Sequence, residues 1–390
     1  LTPSKTIFFL IELLTCYGTV YYSYFLFFYM KIRFGFGSKE NLLLAALYGL
    51  VYIFAAWQGG VFAQRFGCRR SLFIGLLGIG ASMITGWIAM HSAAAQVVVL
   101  AGWTVSVCFI WPALEAIVSE GDNAHLSDMC GYYNIIWAAG GAVAYFSGGM
   151  LLERLGMQSL FLVPLFLVMA DVFLLFLAVS LAKRENNVVV TAPGAPVAPA
   201  VAATAGSRGF LHLAWLANPL AYVAINTTIP LIPSISVNFG LSTGAAGIVC
   251  SLWMFARLAA FVFLWRWTWW HYRFRFLAVS FAVMALCFGG IVLAASLWVL
   301  IAAQIGFGLS VGLIYYSSLY YSMNVSDERG THGGLHEAMI GAGLFLGPAC
   351  GASFLFLVPG AANAGVWSVG GLLLAGFSGL LLMRKKQLTP

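Results

Sequence analysis

Long apolar runs separated by short polar hinges recur from one end of the chain to the other. Twelve of them, at about 6 to 31, 41 to 63, 71 to 91, 96 to 119, 130 to 152, 159 to 182, 210 to 238, 244 to 265, 274 to 296, 298 to 322, 335 to 358 and 363 to 383, are long enough to cross a bilayer. A hydrocarbon core about 30 Å thick takes about 20 apolar residues of helix, because every backbone N–H and C=O must be satisfied internally. Runs such as "SLFIGLLGIGASMITGWIAM" are apolar on every face. Strands of a membrane barrel would instead be about 10 residues long with alternating polarity. The pattern therefore predicts an all-α integral membrane protein with twelve transmembrane helices. The first run follows Lys5, has no small-x-small cleavage site and is longer than a signal-peptide core, so it is expected to be a retained span.

Composition agrees with the pattern. Of 390 residues 62% are hydrophobic and 8% charged, against roughly 25% charged in a soluble domain. The seven cysteines fall mostly inside the runs, with no C-x-x-C pair and no Cys/His cluster. They read as small packing residues, and no metal, redox group or other cofactor is implied. No P-loop, Gly-rich phosphate cradle or nucleophile constellation occurs, so catalysis is not expected.

Charge sets the expected orientation, since Lys and Arg of short loops stay on the cytoplasmic side. With the N-terminus inside, only Lys31, Arg33, Lys39 and Arg154 lie outside and Arg257 lies within a span; every other Lys and Arg is cytoplasmic. The reading is a multi-pass protein of a bacterial inner (cytoplasmic) membrane with both termini in the cytoplasm. The net charge of +7 is absorbed by this topology, and a nucleic-acid partner is not expected, because that would need a basic face on a soluble module.

Between the sixth and seventh runs, residues 183–209 are rich in Ala, Pro and Gly and carry no amphipathic period, the composition of a flexible tether. The expected division is a six-helix bundle over 1–182, the linker, and a second bundle over 210–390. An internal repeat supports it. Phe34 and Gly35 match Phe239 and Gly240, Tyr48 and Tyr52 fall on Trp253 and Arg257, and "GYYNIIWAAG" from Gly131 matches "GLHEAMIGAG" from Gly334, all at nearly one offset. Asn134 thereby falls on Glu337. Two parallel, pseudo-symmetric halves related by an axis along the membrane normal follow.

The hinge between the second and third runs reads "GGVFAQRFGCRR". With the twelve runs and the central linker, it resembles the corresponding hinge of the major facilitator superfamily, roughly G-x-x-x-D-R-x-G-R-R, through Gly60, Gln64, Arg65, Gly67, Arg69 and Arg70. The resemblance implies the major facilitator fold, two bundles rocking about a midplane site, and secondary transport by alternating access. It also implies that the family's aspartate, here Gln64, helps to hold one state, so its negative charge must come from elsewhere: Glu115 or the acidic "SEGDNAHLSD" loop. The antiporter-type motif of the fifth span survives only as "AYFSGG", and "GPACGA" in the eleventh serves close helix packing equally well. Proton antiport does not follow from either.

Ionisable groups inside a membrane are costly and by default face an interior or a watery cavity. On the first span Glu12, Thr15, Thr19 and Tyr22 share one helical face, either as substrate and proton contacts or as a structural network. On the seventh, Asn218, Tyr222 and Asn226 recur every four residues, with Pro230 and Pro233 beyond them expected to bend the helix. Trp111, Gln304 and Tyr315 complete the candidate cavity. Gln64, Arg65, Arg69, Arg70, Glu115, Asn134, Arg257 and Glu337 are the candidate gating or coupling residues, with Arg257 a candidate partner of Glu337. Asp171, midway along the sixth span, reads as scaffold.

The function expected is a secondary active transporter of a small solute, proton-coupled in one version, working as a monomer in contact with membrane lipid. Two rivals stay open: an accessory, assembly or pigment-handling subunit of a larger membrane complex, and a carrier of lipid or another amphiphile.

Overall fold

The computed structural model describes residues 2–119, 126–189, 205–325 and 329–388. Helices account for nearly all of them: α1 (Pro3–Phe34), α2 (Ser38–Phe66), α3 (Cys68–Ile88), α4 (Ala93–Cys108), α5 (Trp111–Ser119), α6 (Leu126–Leu155), α7 (Ser159–Val189), α8 (Ala205–Asn238), α9 (Thr243–Cys250), α10 (Leu252–Arg266), α11 (Phe274–Val292), α12 (Leu297–Val325), α13 (Arg329–Leu357) and α14 (Ala364–Leu388). Twelve spans result, because α4 with α5 and α9 with α10 each make one broken crossing. An even number of crossings leaves both chain ends at the same end of the bundle, here called the terminal end; the opposite one is the far end. The sixth and seventh spans run on into the expected tether, to Val189 and from Ala205. Its middle, residues 190–204, lies outside the described residues.

Local sequence explains the interruptions. The α2–α3 hinge turns at Gly67, whose φ of +95° is open to glycine but strained for a side chain. The fourth span breaks just before Trp111 because Pro112 has no N–H to give to the Cys108 carbonyl. The break is exploited rather than wasted. Ser71 of α3 donates to the Phe109 carbonyl at 2.7 Å, and the Cys108 carbonyl presses on Gly59 of α2, where a Cβ would stand 2.2 Å from its oxygen. In the eighth span the discontinuity at Ser251 is braced from α12, where Gln304 donates to the Val249 carbonyl at 3.1 Å. By contrast α8 continues as one helix through Pro219, Pro230 and Pro233.

The first six spans and the last six form two bundles whose seam is made by α2 on α13, α6 on α9 and α10, and α1 and α2 on α8. Glycine brings the backbones together there. A Cβ on Gly49 would lie 2.3 Å from the Phe345 nitrogen and 2.4 Å from the Leu344 carbonyl carbon, and one on Gly149 would lie 2.2 Å from the Thr243 oxygen. Such approach is how small residues let membrane helices gain packing that lipid cannot offer. At the far end polar ties cross the seam: Ser38 Oγ donates to Ser234 Oγ at 3.0 Å, Asn41 to the Pro230 carbonyl at 3.3 Å, and the Gly244 N–H to Glu153 at 2.8 Å. The far end is thereby closed. Outward faces are apolar, with Leu286 76% and Trp298 80% exposed, a surface suited to lipid and not to water.

Candidate functional site

A cavity of about 140 Å³ lies between the bundles. Its wall takes Thr19, Ser23 and Tyr24 from α1, Tyr48 and Tyr52 from α2, Trp103 from α4, Trp111 and Glu115 from α5, Tyr133 and Trp137 from α6, Tyr222 and Asn226 from α8, Arg257 from α10, Tyr315 from α12 and Glu337 from α13. Both halves therefore contribute, as a midplane site requires.

Arg257 is the most demanding group in this wall, being only 3% exposed. Its guanidinium carbon stands 4.3 Å from the ring centre of Trp137, 4.9 Å from that of Trp253 and 6.0 Å from that of Phe261. Trp253 and Phe261 lie one turn to either side on its own helix. Trp137 reaches it across the seam and is itself stacked on Tyr315, 5.6 Å away and 13° from parallel. Arg257 Nε has no hydrogen-bond partner, and the guanidinium forms no ion pair among the described residues. Cation–π contact with desolvated rings contributes about 2 kcal/mol, whereas burying an ion costs several. The difference leaves a buried cation with no carboxylate in direct contact among the described residues.

The carboxyls are held differently. Tyr52 donates its hydroxyl to Glu337 Oε2 at 2.5 Å, from α2 to α13 and so across the seam. Glu115 is hydrogen-bonded by Tyr133. Glu12, fully buried, has both carboxyl oxygens without a hydrogen-bond partner among the described residues and lies within electrostatic reach of Glu115. The pairing of Glu337 with Arg257 expected from sequence is not formed, although both line one cavity. Tyr52 takes the carboxyl, and the rings of Trp137 and Trp253 take the guanidinium.

Five of the candidate cavity residues are brought together there: Thr19, Trp111, Tyr222, Asn226 and Tyr315. Five others sit elsewhere. Thr15 donates to Asp171 of α7 at 2.8 Å, Tyr22 packs on Trp103 and Phe161, Asn218 is buried with its Oδ1 unpartnered, Gln304 braces the break in the eighth span, and Glu12 is buried outside the lining. The lining face of α1 runs through Thr19, Ser23 and Phe27; of the polar stripe only Thr19 lies on it, while Thr15 and Tyr22 turn toward α7 and α4.

Among the candidate gating residues, Gln64, Arg65, Arg69 and Arg70 are all exposed in the hinge. Glu115 does not reach them: it faces the cavity, because α5 restarts beyond the Pro112 break. In the acidic loop, residues 120–125 lie outside the described residues, and Asp128 accepts from Trp265 Nε1 at 3.3 Å. Asn134 is buried with its Oδ1 unpartnered. Tyr48, Trp103, Tyr133 and Trp137 were not singled out as site residues by the sequence reading. A signal existed for two of them, since Tyr133 and Trp137 are one helical turn apart inside the repeated "GYYNIIWAAG".

A family model described as the Major Facilitator Superfamily matches residues 8–348. The chain belongs to the major facilitator superfamily. One solved structure that it resembles is that of the human organic anion transporter MFSD10 (TETRAN), with a TM-score of 0.68 and 16% sequence identity over 97% of this chain and 100% of that one; at this identity the likeness speaks for the fold. Comparison with curated protein sequences yields no significant match. As a major facilitator protein the chain is a multi-pass membrane protein and a secondary transporter, so the cavity shared by its two bundles is the place to look for substrate.

In this major facilitator protein the Tyr52–Glu337 bond should contribute to the closed seam. Tyr52→Phe leaves the buried carboxyl without its donor, and such a loss costs about 1 to 3 kcal/mol. The expected outcome is a lower thermal midpoint for the purified protein in detergent; an unchanged midpoint would show that the bond adds nothing to this state.

Proposed function

We propose that the protein carries a small organic anion with a planar or aromatic body, that Arg257 holds the anionic group, and that a proton travels with it. The observation that carries this reading is the buried guanidinium set among aromatic rings with no carboxylate paired to it. An arginine in such a setting favours planar carboxylates, which it binds through two parallel N–H donors. Trp137, Tyr315, Tyr48 and Trp103 offer ring faces for the body of the substrate. The cavity volume is close to that of an engineered cavity of about 150 Å³ that takes benzene, so the state described suits a body about one ring in size.

Proton coupling rests on the other two charges. An anion entering beside Glu115 and Glu337 adds negative charge to a space already lined by two carboxyls, and Coulomb repulsion in a low-dielectric interior is strong. A proton on one of them offsets the negative charge that the anion brings, so anion and proton are proposed to move together, as in symport. That MFSD10 is an organic anion transporter supports the charge sign of the substrate. The arginine distribution supports a cytoplasmic terminal end, which makes the closed far end the external one.

The test is a ligand-stabilisation screen of the purified protein across aromatic carboxylates, aliphatic carboxylates, sugars, amino acids and lipophilic cations. Aromatic carboxylates should raise the thermal midpoint most, with their amides inert. Stabilisation by lipophilic cations and not by carboxylates would reverse the assignment of Arg257 and point to the carboxyls as the binding groups.

A further inference from the structure

Apart from the cavity, the densest concentration of charge on rings lies in the connection between α10 and α11, "RWTWWHYRFRF" from Arg266 to Phe276. Arg273 and Arg275 both place their guanidiniums over the Trp269 indole, at 4.2 Å and 4.8 Å. Arg275 also lies over Phe276 at 5.2 Å, and Arg266 over Trp265 at 4.5 Å. All three arginines are exposed, and none forms an ion pair among the described residues. Two like charges thus share one indole. Their mutual repulsion is tolerable in water but is relieved by an anion placed between them.

The connection is built to hold this arrangement. Trp270 is 1% exposed and donates its indole N–H to the Leu264 carbonyl at 3.3 Å. His271 stacks on Tyr320 of α12, 4.0 Å away and 17° from parallel, and burial keeps its imidazole below the usual histidine range, toward the neutral form. Tyr272 adopts a left-handed backbone, φ 54°, and its N–H is taken by the Tyr321 hydroxyl at 2.9 Å. A non-glycine residue in that region is strained and persists where its surroundings fix it. Anchored from within by Trp270 and Tyr272, the connection turns Trp269, 46% exposed, and the arginines outward.

We infer that the α10–α11 connection is a binding site for the phosphate of an anionic phospholipid, with Arg273 and Arg275 as its ligands and Trp269 as its platform. Its level in the membrane supports a lipid source. Arg266 ends one span and Phe274 begins the next, which puts the guanidiniums where headgroups sit and the indoles where amphipathic rings settle. Arginine binds phosphate oxygens in bidentate fashion, and each basic group near an anionic surface adds to the attraction. The exposed Trp269 ring, with the half-buried Trp267 ring 5.5 Å away, gives apolar contact that a lipid's glycerol and upper chain use and inorganic phosphate does not. The site is independent of the transported substrate.

The experiment measures the thermal midpoint of the full-length protein in neutral detergent with dioleoyl phosphatidylglycerol, dioleoyl phosphatidylcholine or inorganic phosphate. Phosphatidylglycerol at 100 times its dissociation constant should raise the midpoint by about 3 °C, with little effect from the other two. The shift should largely vanish in Arg273→Gln/Arg275→Gln and persist in Arg69→Gln/Arg70→Gln, which removes as many charges from another loop at the same end. Equal response to both lipids, an equal response to inorganic phosphate, or equal loss in the hinge variant would overturn the proposal. If the double variant does not fold, Arg275→Lys keeps the charge but not the fork: the shift should fall by about half, and an unchanged shift would overturn the proposal as surely.

Discussion

Arg257→Gln should abolish measurable uptake of an aromatic carboxylate into proteoliposomes while leaving a folded, monodisperse protein. The guanidinium is buried and lies on Trp137, Trp253 and Phe261, with no paired carboxylate among the described residues, so removing it breaks no ion pair there. Stability should therefore hold or rise, because an uncompensated buried charge is lost. Substrate binding should respond in the opposite sense. Truncating one partner of a buried charged pair costs about 2 to 5 kcal/mol, which is a loss of about 30-fold to several thousand-fold in affinity. Arg257→Lys should fall between, since an ammonium keeps the charge but neither the fork nor the flat stacking on Trp137. The measurement is concentration-dependent uptake for all three proteins at equal reconstituted amounts. Wild-type uptake by the Gln variant would place the anion elsewhere.

Gly49→Val should shift the balance between the two faces of the transporter. A Cβ at Gly49 meets the Leu344–Phe345 backbone at 2.3 to 2.6 Å, and backbone cannot swing aside as a side chain can. The helices α2 and α13 must separate, in the seam that the far-end ties of Ser38 with Ser234 and Asn41 with Pro230 now hold closed. Overpacking of this kind costs about 1 to 3 kcal/mol. Set against a two-state balance of a few kcal/mol, this changes the ratio of states by about 5-fold to 150-fold. A cysteine at Ala45, which lines the cavity toward the far end, should be labelled faster from the far side in the Val variant than in its parent. An unchanged labelling rate in a folded protein would show that α2 and α13 do not move apart in the cycle.

The spans were legible because the bilayer makes a simple demand. Nearly every predicted run lies within a few residues of a helix, and the fourth and eighth spans hid their breaks only because an apolar run reads the same whether or not one carbonyl is left over. The Pro112 break was visible as a proline, but its effect was not: it sets the direction of α5 and so turns Glu115 into the cavity instead of toward the hinge. Arg257 stood out in the sequence by its charge inside a span, and Glu337 by the repeat that put it opposite Asn134; both line the cavity. Their partners were not. Tyr52 meeting Glu337 and Trp137 meeting Arg257 are contacts between halves, and the register of one bundle on the other leaves no period in either. Thr15 and Gln304 show the same limit from the other side. Each sits on a polar face, and each spends its hydrogen bond on a neighbouring helix.

The central claim is that an aromatic anion crosses with a proton through the cavity that holds Arg257. Uptake of a labelled single-ring carboxylate into proteoliposomes, with and without an inward proton gradient and at zero membrane potential, tests it most directly. The account predicts saturable uptake that rises above equilibrium when the gradient is imposed, collapses with a protonophore and is absent for the corresponding amide. Saturable uptake that ignores the proton gradient, or that accepts the neutral amide as readily as the acid, would contradict it.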